Sequence, residues 1–383
     1  MEDLTIGVVA TSMKEHERRL PIHPRQLSRI EPDLRQRMFL ERGYGSRYGI
    51  ADVELDALVG GLRERAELLG ECGVVLLPKP QHADVAMMRE GQVLWGWPHC
   101  VQDADLTQRA IDQRLTIIAW EAMNHYTPSG AFSLHVFHKN NELAGYCSVL
   151  HALTLRGATG HFGPRLSAAV ISFGATARGA VSALLALGVS DVTVLTHRSV
   201  PAVAAPMPPS RLVHYERDDA DPALPHLAHP ERGSLAEFLA GHDIVVNCVL
   251  QDTDDPLIFV SNDDLRHFER GSLIVDVSCD EGMGFEWARP TSFDHPMLTV
   301  GDGVHYYAVD HSPSYLWNSA TWEISEALIP HLPAVMAGRS GWTESETIRR
   351  AIEIDHGVVL NPRILSFQHR DTDYPHQTAR VAT

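Results

Sequence analysis

Residues 168–198 read AAVISFGATARGAVSALLALGVSDVTVLTHR. The first six are small or branched and apolar, the pattern of a strand covered on both faces. A glycine-bearing turn, GATARGA, follows at once and runs into the small-residue helix pattern VSALLALG. A second apolar run, DVTVLTHR, closes the segment. Strand, turn, helix and strand within about thirty residues form a βαβ unit of parallel strands. In that setting a glycine-rich turn presents a helix N-terminus to a phosphate.

The details of the turn narrow the ligand. Gly174 makes the tight turn and Gly179 allows close helix-to-strand packing. Thr176 stands at the middle position, so the pyrophosphate contact is looser or shifted along the helix N-terminus, over Ala175, Thr176 and Ala177. A site for NAD keeps Asp or Glu at the end of the second strand for the adenine ribose. Here that strand ends Thr196, His197, Arg198, Ser199. A guanidinium grips a 2′-phosphate through charge-assisted hydrogen bonds, and the hydroxyls of Thr196 and Ser199 add donors. The expected cofactor is therefore NADP(H).

The same alternation extends outward in both directions. TIGVVA, CGVVLLP, QVLWGW and LTIIAW read as buried strands between helical stretches, with a helix from about Pro24 and a turn-rich break at MNHYTPSGAF. The pattern NNELAGYCSVLHALTLRG is a helix leading into the second unit, whose further strands are DIVVNCVL, GSLIVDVSC and MLTVGDG. Residues 204–233, rich in Pro and Asp, read as a surface excursion. SYLWNSATWEISEALIPHLPAVM is expected to be a long helix, ESETIRRAIEID a helix capped by Gly357, and the tail from His369 loosely attached. The expected fold class is α/β: two Rossmann-like domains with parallel sheets flanking a cleft, the C-terminal helices returning to the first. A substrate domain would comprise residues 1–139 plus 311–383 and a cofactor domain 140–310.

Bulk composition bounds the function. The 32 basic and 49 acidic residues give a net charge of −17, and no Lys/Arg run is present, so neither nucleic acid nor an anionic membrane is an expected partner. The longest apolar runs are strand-sized, and LTIGVVA follows the first residues with no signal-peptide pattern, so a cytoplasmic protein is expected. Five scattered cysteines read as reduced thiols. His135 and His138 fit one helical face, but further ligands at metal spacing are missing, and no metal is expected.

Six further stretches occur together in order: EHERRLPIHP, LLPKPQ, REGQVLWGWPHC, FHKNNELAGYCSVLHAL, LIVDVSCDEGMGFE and YYAVDHSPSYLWNSATWEIS. In this order and spacing the chain resembles the alanine dehydrogenase/pyridine nucleotide transhydrogenase superfamily over about residues 4 to 335. Within it, REGQVLWGWPH and HKNNELAGYCSVLHAL look most like carboxyethylornithine synthase, an opine-forming enzyme, while VDVSCD and VDHSPS share features of fungal saccharopine dehydrogenase.

The resemblance implies reductive condensation: an amino-acid amine adds to a 2-oxo acid such as pyruvate, water leaves, and NADPH reduces the imine. It implies that Arg19 binds the 2-oxo carboxylate, with Arg18 exchanging roles if the register shifts by one. Lys79 and His99 become the substrate-contacting and acid–base pair, each at the carboxyl end of a strand, and Asp280 the acid near the nicotinamide and the amine. Asp276 would cap or orient the Asp280 loop. Asn247 and Val249 would edge the cofactor, Asn247 as a donor, and His311 would line the nicotinamide end where alanine dehydrogenase has asparagine. The resemblance also implies a homo-oligomer. An ammonia-using amino-acid dehydrogenase and a non-catalytic NADP-binding sensor are the alternatives.

Overall fold

The computed structural model describes residues 4–198, 211–217, 225–227 and 234–378. Ser199 and most of the Pro/Asp-rich excursion lie outside the described residues. The chain divides into two compact units, Met1–Phe137 with Trp317–Thr383, and His138–Leu316. The expected seams were at 139/140 and 310/311. Residues 311–316 instead stay with the second unit, where Ser148 Oγ donates to Ser312 Oγ at 2.8 Å and Ser312 Oγ to the Ala144 carbonyl at 3.1 Å.

The first unit opens with strands β1 (Ile6–Val8), β2 (Met38–Glu41), β3 (Gly61–Arg63), β4 (Val74–Leu76), β5 (Val93–Gly96) and β6 (Thr116–Ala119). All are parallel, in the order 3-2-1-4-5-6. The turn-rich break at residues 123–132 is in fact a hairpin, β7 (Asn124–Tyr126) with β8 (Phe132–His135). His135 thus ends a strand while His138 opens the next helix, so the two do not share a helical face. The helix expected at Pro24 is a single 3₁₀ segment, Pro24–Arg29.

The second unit begins with helix α1 (His138–Leu155) and continues through β9 (Ser167–Ile171), helix α2 (Ala175–Ala186), β10 (Asp191–Thr196), β11 (Arg211–Arg217), β12 (Pro225–Leu227) and β13 (Ile244–Asn247). It ends with β14 (Ile258–Val260), β15 (Leu273–Asp276), β16 (Gly284–Phe285), β17 (Met297–Val300) and β18 (Val304–Tyr307). Its main sheet runs β12-β11-β10-β9-β13-β15-β18-β17, parallel except at the two edges. The excursion is therefore partly sheet: Val213 and Tyr215 alternate inward on β11 and are buried, which a Pro-rich surface loop would not achieve.

The chain then returns to the first unit. Proline interrupts the expected long helix, giving Trp317–Leu328, a 3₁₀ turn around Pro330, and Leu332–Met336. Residues 346–351 are helical, but the β-branched alternation that follows is strand β19 (Ile352–Asp355), antiparallel to β6, turned by Gly357 (φ +82°) into β20 (Val358–Val359). Gly357 is thus a hairpin glycine and not a helix cap. The tail is docked as far as Thr378: His376 is buried and accepts from Val359 N at 3.0 Å, and Arg370 Nη1 donates to the His376 carbonyl at 3.1 Å. No helix among the described residues is long and apolar enough to cross a membrane.

Each sheet is covered on both faces. Ile6, Val8, Leu76, Trp95 and Ile118 point into one apolar cluster, and Val9, Val75, Leu77, Leu94 and Ile117 into the other, the period of two expected of a strand. In the second unit α1 and α2 pack backbone against backbone. A Cβ on Gly179 would sit 1.7 Å from the Glu142 carbonyl oxygen, and one on Gly145 would sit 1.9 Å from that of Thr176. Gly179 therefore serves helix-to-helix packing, where helix-to-strand packing was expected. Gly179→Ala should cost about 1–3 kcal/mol or more by overpacking, read as a lower urea midpoint. Ser182→Ala, on the exposed side of the same helix, should stay within about 0.5 kcal/mol.

Candidate active site and cofactor turn

In the first unit the loops that leave the carboxyl ends of β1, β4, β5 and β6 carry Arg19, Lys79, His99 and Glu121. Ser12 Oγ donates to the Lys79 carbonyl at 2.5 Å, joining the first two of these loops. Glu41, at the end of β2, accepts from the N–H groups of Ala10 and Thr11 at 2.7 and 3.1 Å and so fixes where the β1 loop departs.

Lys79 Nζ lies 2.5 Å from His99 Nε2. His99 takes φ +50°, a conformation that ordinary residues avoid, and its backbone N–H donates to Glu121 Oε1 at 2.7 Å. The same oxygen is 3.5 Å from His99 Nδ1. Two cations at the Lys79–His99 separation would repel strongly, so the contact favours one nitrogen donating to the other.

Arg19 and Arg18 are separated by burial. Arg18 is exposed and its carbonyl accepts from Arg47 Nη1 at 3.0 Å. The Arg19 guanidinium is buried, bidentate on Glu17 at 2.8 and 2.5 Å, and lies over the Trp97 ring at 5.0 Å. Only Arg19 faces inward beside the β5 loop.

In the second unit the turn falls two residues earlier than expected. Ser172 takes φ +108°, and α2 starts at Ala175 with Gly174 as its N-cap. Ser172 therefore occupies the tight-turn place, Gly174 the close-approach place, and buried Ala177 the packing place. Thr176 is the second residue of the helix and does not stand at the close-approach place. A Cβ on Gly174 would meet only Ser172 Oγ, at 3.8 Å, so nothing in the protein itself demands glycine there. An open cradle before a helix N-terminus, with first-turn N–H groups that a helix cannot satisfy internally, fits a dinucleotide pyrophosphate.

After β10, Thr196 is buried and its Oγ1 accepts from Arg198 N at 3.1 Å, so this hydroxyl shapes the turn and faces no ligand. Arg198 is exposed. Burial, then Arg198, Arg217 and His214, lower the pKa of His197, marking a cationic field at the ends of β10 and β11. Arg217, paired with Asp255, was missed in the sequence because β11 was read as loop.

Asp276 is a hub. Fully buried at the end of β15, it accepts from Tyr306 Oη at 2.8 Å, Asn247 Nδ2 at 3.0 Å and Cys279 N at 3.1 Å. Asn247 Oδ1 accepts from Val249 N at 3.2 Å, and the Val249 carbonyl accepts from Ser278 Oγ. Asn247 is thus buried and engaged internally at both amide ends, a positioning residue where a cofactor donor was expected. Asp280, four residues on, is partly buried, and burial raises its pKa to about 6. His311 is buried with Nδ1 2.6 Å from Asp310 Oδ1.

Residues 7–144 match the alanine dehydrogenase/PNT N-terminal domain and residues 167–362 the C-terminal domain. The chain belongs to the alanine dehydrogenase/PNT family. N(5)-(carboxyethyl)ornithine synthase of Clostridium botulinum is 24% identical over 327 residues, 83% of this chain and 90% of that protein. Alanine dehydrogenase of Mycobacterium tuberculosis is 23% identical over 366 residues, 93% and 95% of the two chains. A solved L-alanine dehydrogenase superposes with TM-score 0.73 at 20% identity, covering 95% and 99%. A transhydrogenase from Sinorhizobium meliloti gives 0.68 at 19%, covering 94% and 99%. Both share the fold. The chain is an oxidoreductase of this family, whose curated relatives act on amino acids and bind a nicotinamide dinucleotide.

Burial raises Asp276 to about 6 despite its three hydrogen bonds. The folded chain therefore binds this proton more tightly than the unfolded chain. The stability it contributes is complete below about pH 4 and is lost as pH rises through about 6. Asp276→Asn cannot titrate and should gain about 2–3 kcal/mol on the wild type between pH 4 and pH 7, read from urea midpoints at both values.

Proposed function

We propose that this chain is an NADP(H)-dependent enzyme that condenses an amino-acid amine with a 2-oxo acid such as pyruvate and reduces the resulting imine. The observation that carries the reading is the Lys79–His99 contact at 2.5 Å, on loops leaving adjacent parallel strands. A dinucleotide held by its pyrophosphate at the turn after β9 would supply hydride to the imine carbon.

The chain's own residues serve the other steps. The Lys79 ammonium polarises the 2-oxo carbonyl and protonates the oxygen that leaves as water. Neutral His99, its Nδ1 toward Glu121, accepts the proton that the amine loses on attack. Arg19 holds the 2-oxo carboxylate. Glu17 already orients that guanidinium, so the substrate competes with an internal anion for it. Asp280, with its raised pKa, exchanges a proton with the substrate nitrogen near neutrality.

For the cofactor, Ser172, Gly174 and the N–H groups of Ala175 to Ala177 cradle the pyrophosphate. Arg198 takes the 2′-phosphate in the cationic field it shares with Arg217. No carboxylate ends β10 to favour NAD.

NADPH oxidation with pyruvate, across a panel of amino acids and ammonia, tests the reading. Turnover is expected with an amino acid and not with ammonia; turnover with ammonia alone would make the protein an amino-acid dehydrogenase. Lys79→Met and His99→Gln should each lower kcat by about 10²–10⁴. Arg198→Ala should raise KM for NADPH roughly tenfold, leaving KM for NADH unchanged.

A further inference from the structure

Two carboxyl groups near the His99 loop take no part in the steps above as donors or bases. Glu121 follows β6, and Glu353 lies on β19, which pairs with β6 through Ile352 opposite Ile118 and Ile354 opposite Ile117. The register shifts between those two pairs, so Glu353 is the extra residue of a bulge. It is 6% exposed.

The two carboxyls are bonded alike. Glu353 Oε1 accepts from Asn361 Nδ2 at 2.9 Å, and Glu121 Oε1 accepts from His99 N at 2.7 Å. In each, Oε2 is buried without a hydrogen-bond partner among the described residues. Glu121 as a whole is partly exposed, 28% of its side chain, but a buried oxygen without a partner on each of two mutually repelling anions is still costly, whereas one carboxyl that keeps its proton removes both the repulsion and one of the two charges. Among the described residues, Lys79 is the cation that lowers Glu121, the Cys100 thiol is pushed well up by burial and by both carboxyls and stays neutral, and the group bonded to Glu353 is the neutral Asn361 amide.

We propose that Glu121 and Glu353 hold one proton between them at neutral pH, and that Glu353 is a positioning residue for the acid–base pair Lys79–His99. The positioning role rests on the function proposed above. Burial and the Glu353 charge raise Glu121 to about 8, and burial raises Glu353 to about 7, so the two titrate as a unit across the working range. A full anion on Glu121 would favour imidazolium at His99, which cannot accept the amine proton. Sharing the proton with Glu353 leaves only part of a charge there and keeps His99 neutral.

The test uses the full chain with Glu353→Gln, Glu353→Asp and Glu121→Gln, each first checked for wild-type folding by near-UV circular dichroism. Infrared difference spectra are taken between about pH 6.5 and pH 9, where Asp276 and Asp280, raised to about 6, have largely finished titrating. The wild type should lose a protonated-carboxyl band across this range, and in each Gln variant the loss should be smaller and fall at lower pH, because the remaining carboxyl keeps the rise due to burial but not the charge of its neighbour. A wild type without such a band overturns the shared proton. In Glu353→Gln the acidic limb of kcat/KM should move up by about one pH unit, and Glu353→Asp should restore it. An unmoved limb overturns the positioning role. If the wild type turns over no substrate, the functional reading fails alone, and the infrared arm still decides whether the proton is shared.

Discussion

Both sheets reverse their strand order beside the first strand, and the rest of the chemistry depends on that constraint. Right-handed crossovers carry the chain one way from β1 through β2 to β3 and then the other way through β4, β5 and β6. Loops leaving β1 and β4 must diverge, and the gap between them receives side chains from neighbouring strand ends. Arg19, Lys79, His99 and Glu121 all leave such ends in the first unit. Gly174, Arg198, Asn247, Asp280 and His311 leave the ends of β9, β10, β13, β15 and β18 in the second. Within each unit, residues from separated segments need no sequence proximity, only a sheet that delivers each loop to the same edge.

Delivery to an edge does not fix a loop, and buried polar groups do that work. In the first unit Glu41 ties down the start of the β1 loop, and Arg65 reaches both Glu41 and Asp84. Glu17 clamps Arg19. In the second, Asp276 gathers Tyr306, Asn247 and the Cys279 backbone. Such arrangements add little net stability, because removing ions from water costs nearly what their attraction returns. They specify geometry. That is the property a reaction needs when a misplaced group of about 1 Å costs two orders of magnitude in rate.

Much of this was legible in the sequence, for identifiable reasons. A parallel strand covered on both faces is a continuous apolar run, so AAVISF, VVLL and LIVD announced themselves, and the first polar residue after each run marked a strand end. That rule places Lys79 and His99 at strand ends, whereas Asp280 is legible only through the family resemblance. Applied evenly, it would also have found Glu121, which follows LTIIAW directly. The turn register is hard to read from sequence because Ser172 adopts φ +108° where glycine is the usual residue. Arg217 is hard to place from sequence because prolines crowd the chain on either side of β11. Asn247 was assigned a ligand because its place in the chain gives no sign that Asp276 and Val249 engage its amide.

Glu353 was the least legible residue. In AIEID the apolar spacing continues a helix as well as it starts a strand, and nothing local says that the chain has come back to β6. The return nonetheless has a chemical reason beyond packing. A sheet that ended at β6 would leave its last strand as an open edge and the Glu121 loop facing water. Glu121 would then ionise as an ordinary carboxylate and pull His99 toward the charged form. By pairing β19 with β6, the C-terminal segment closes that edge, partly buries Glu121 and brings the charge of a second carboxyl to bear on it. The segment farthest in sequence from Lys79 and His99 thereby sets the electrostatic environment in which they work.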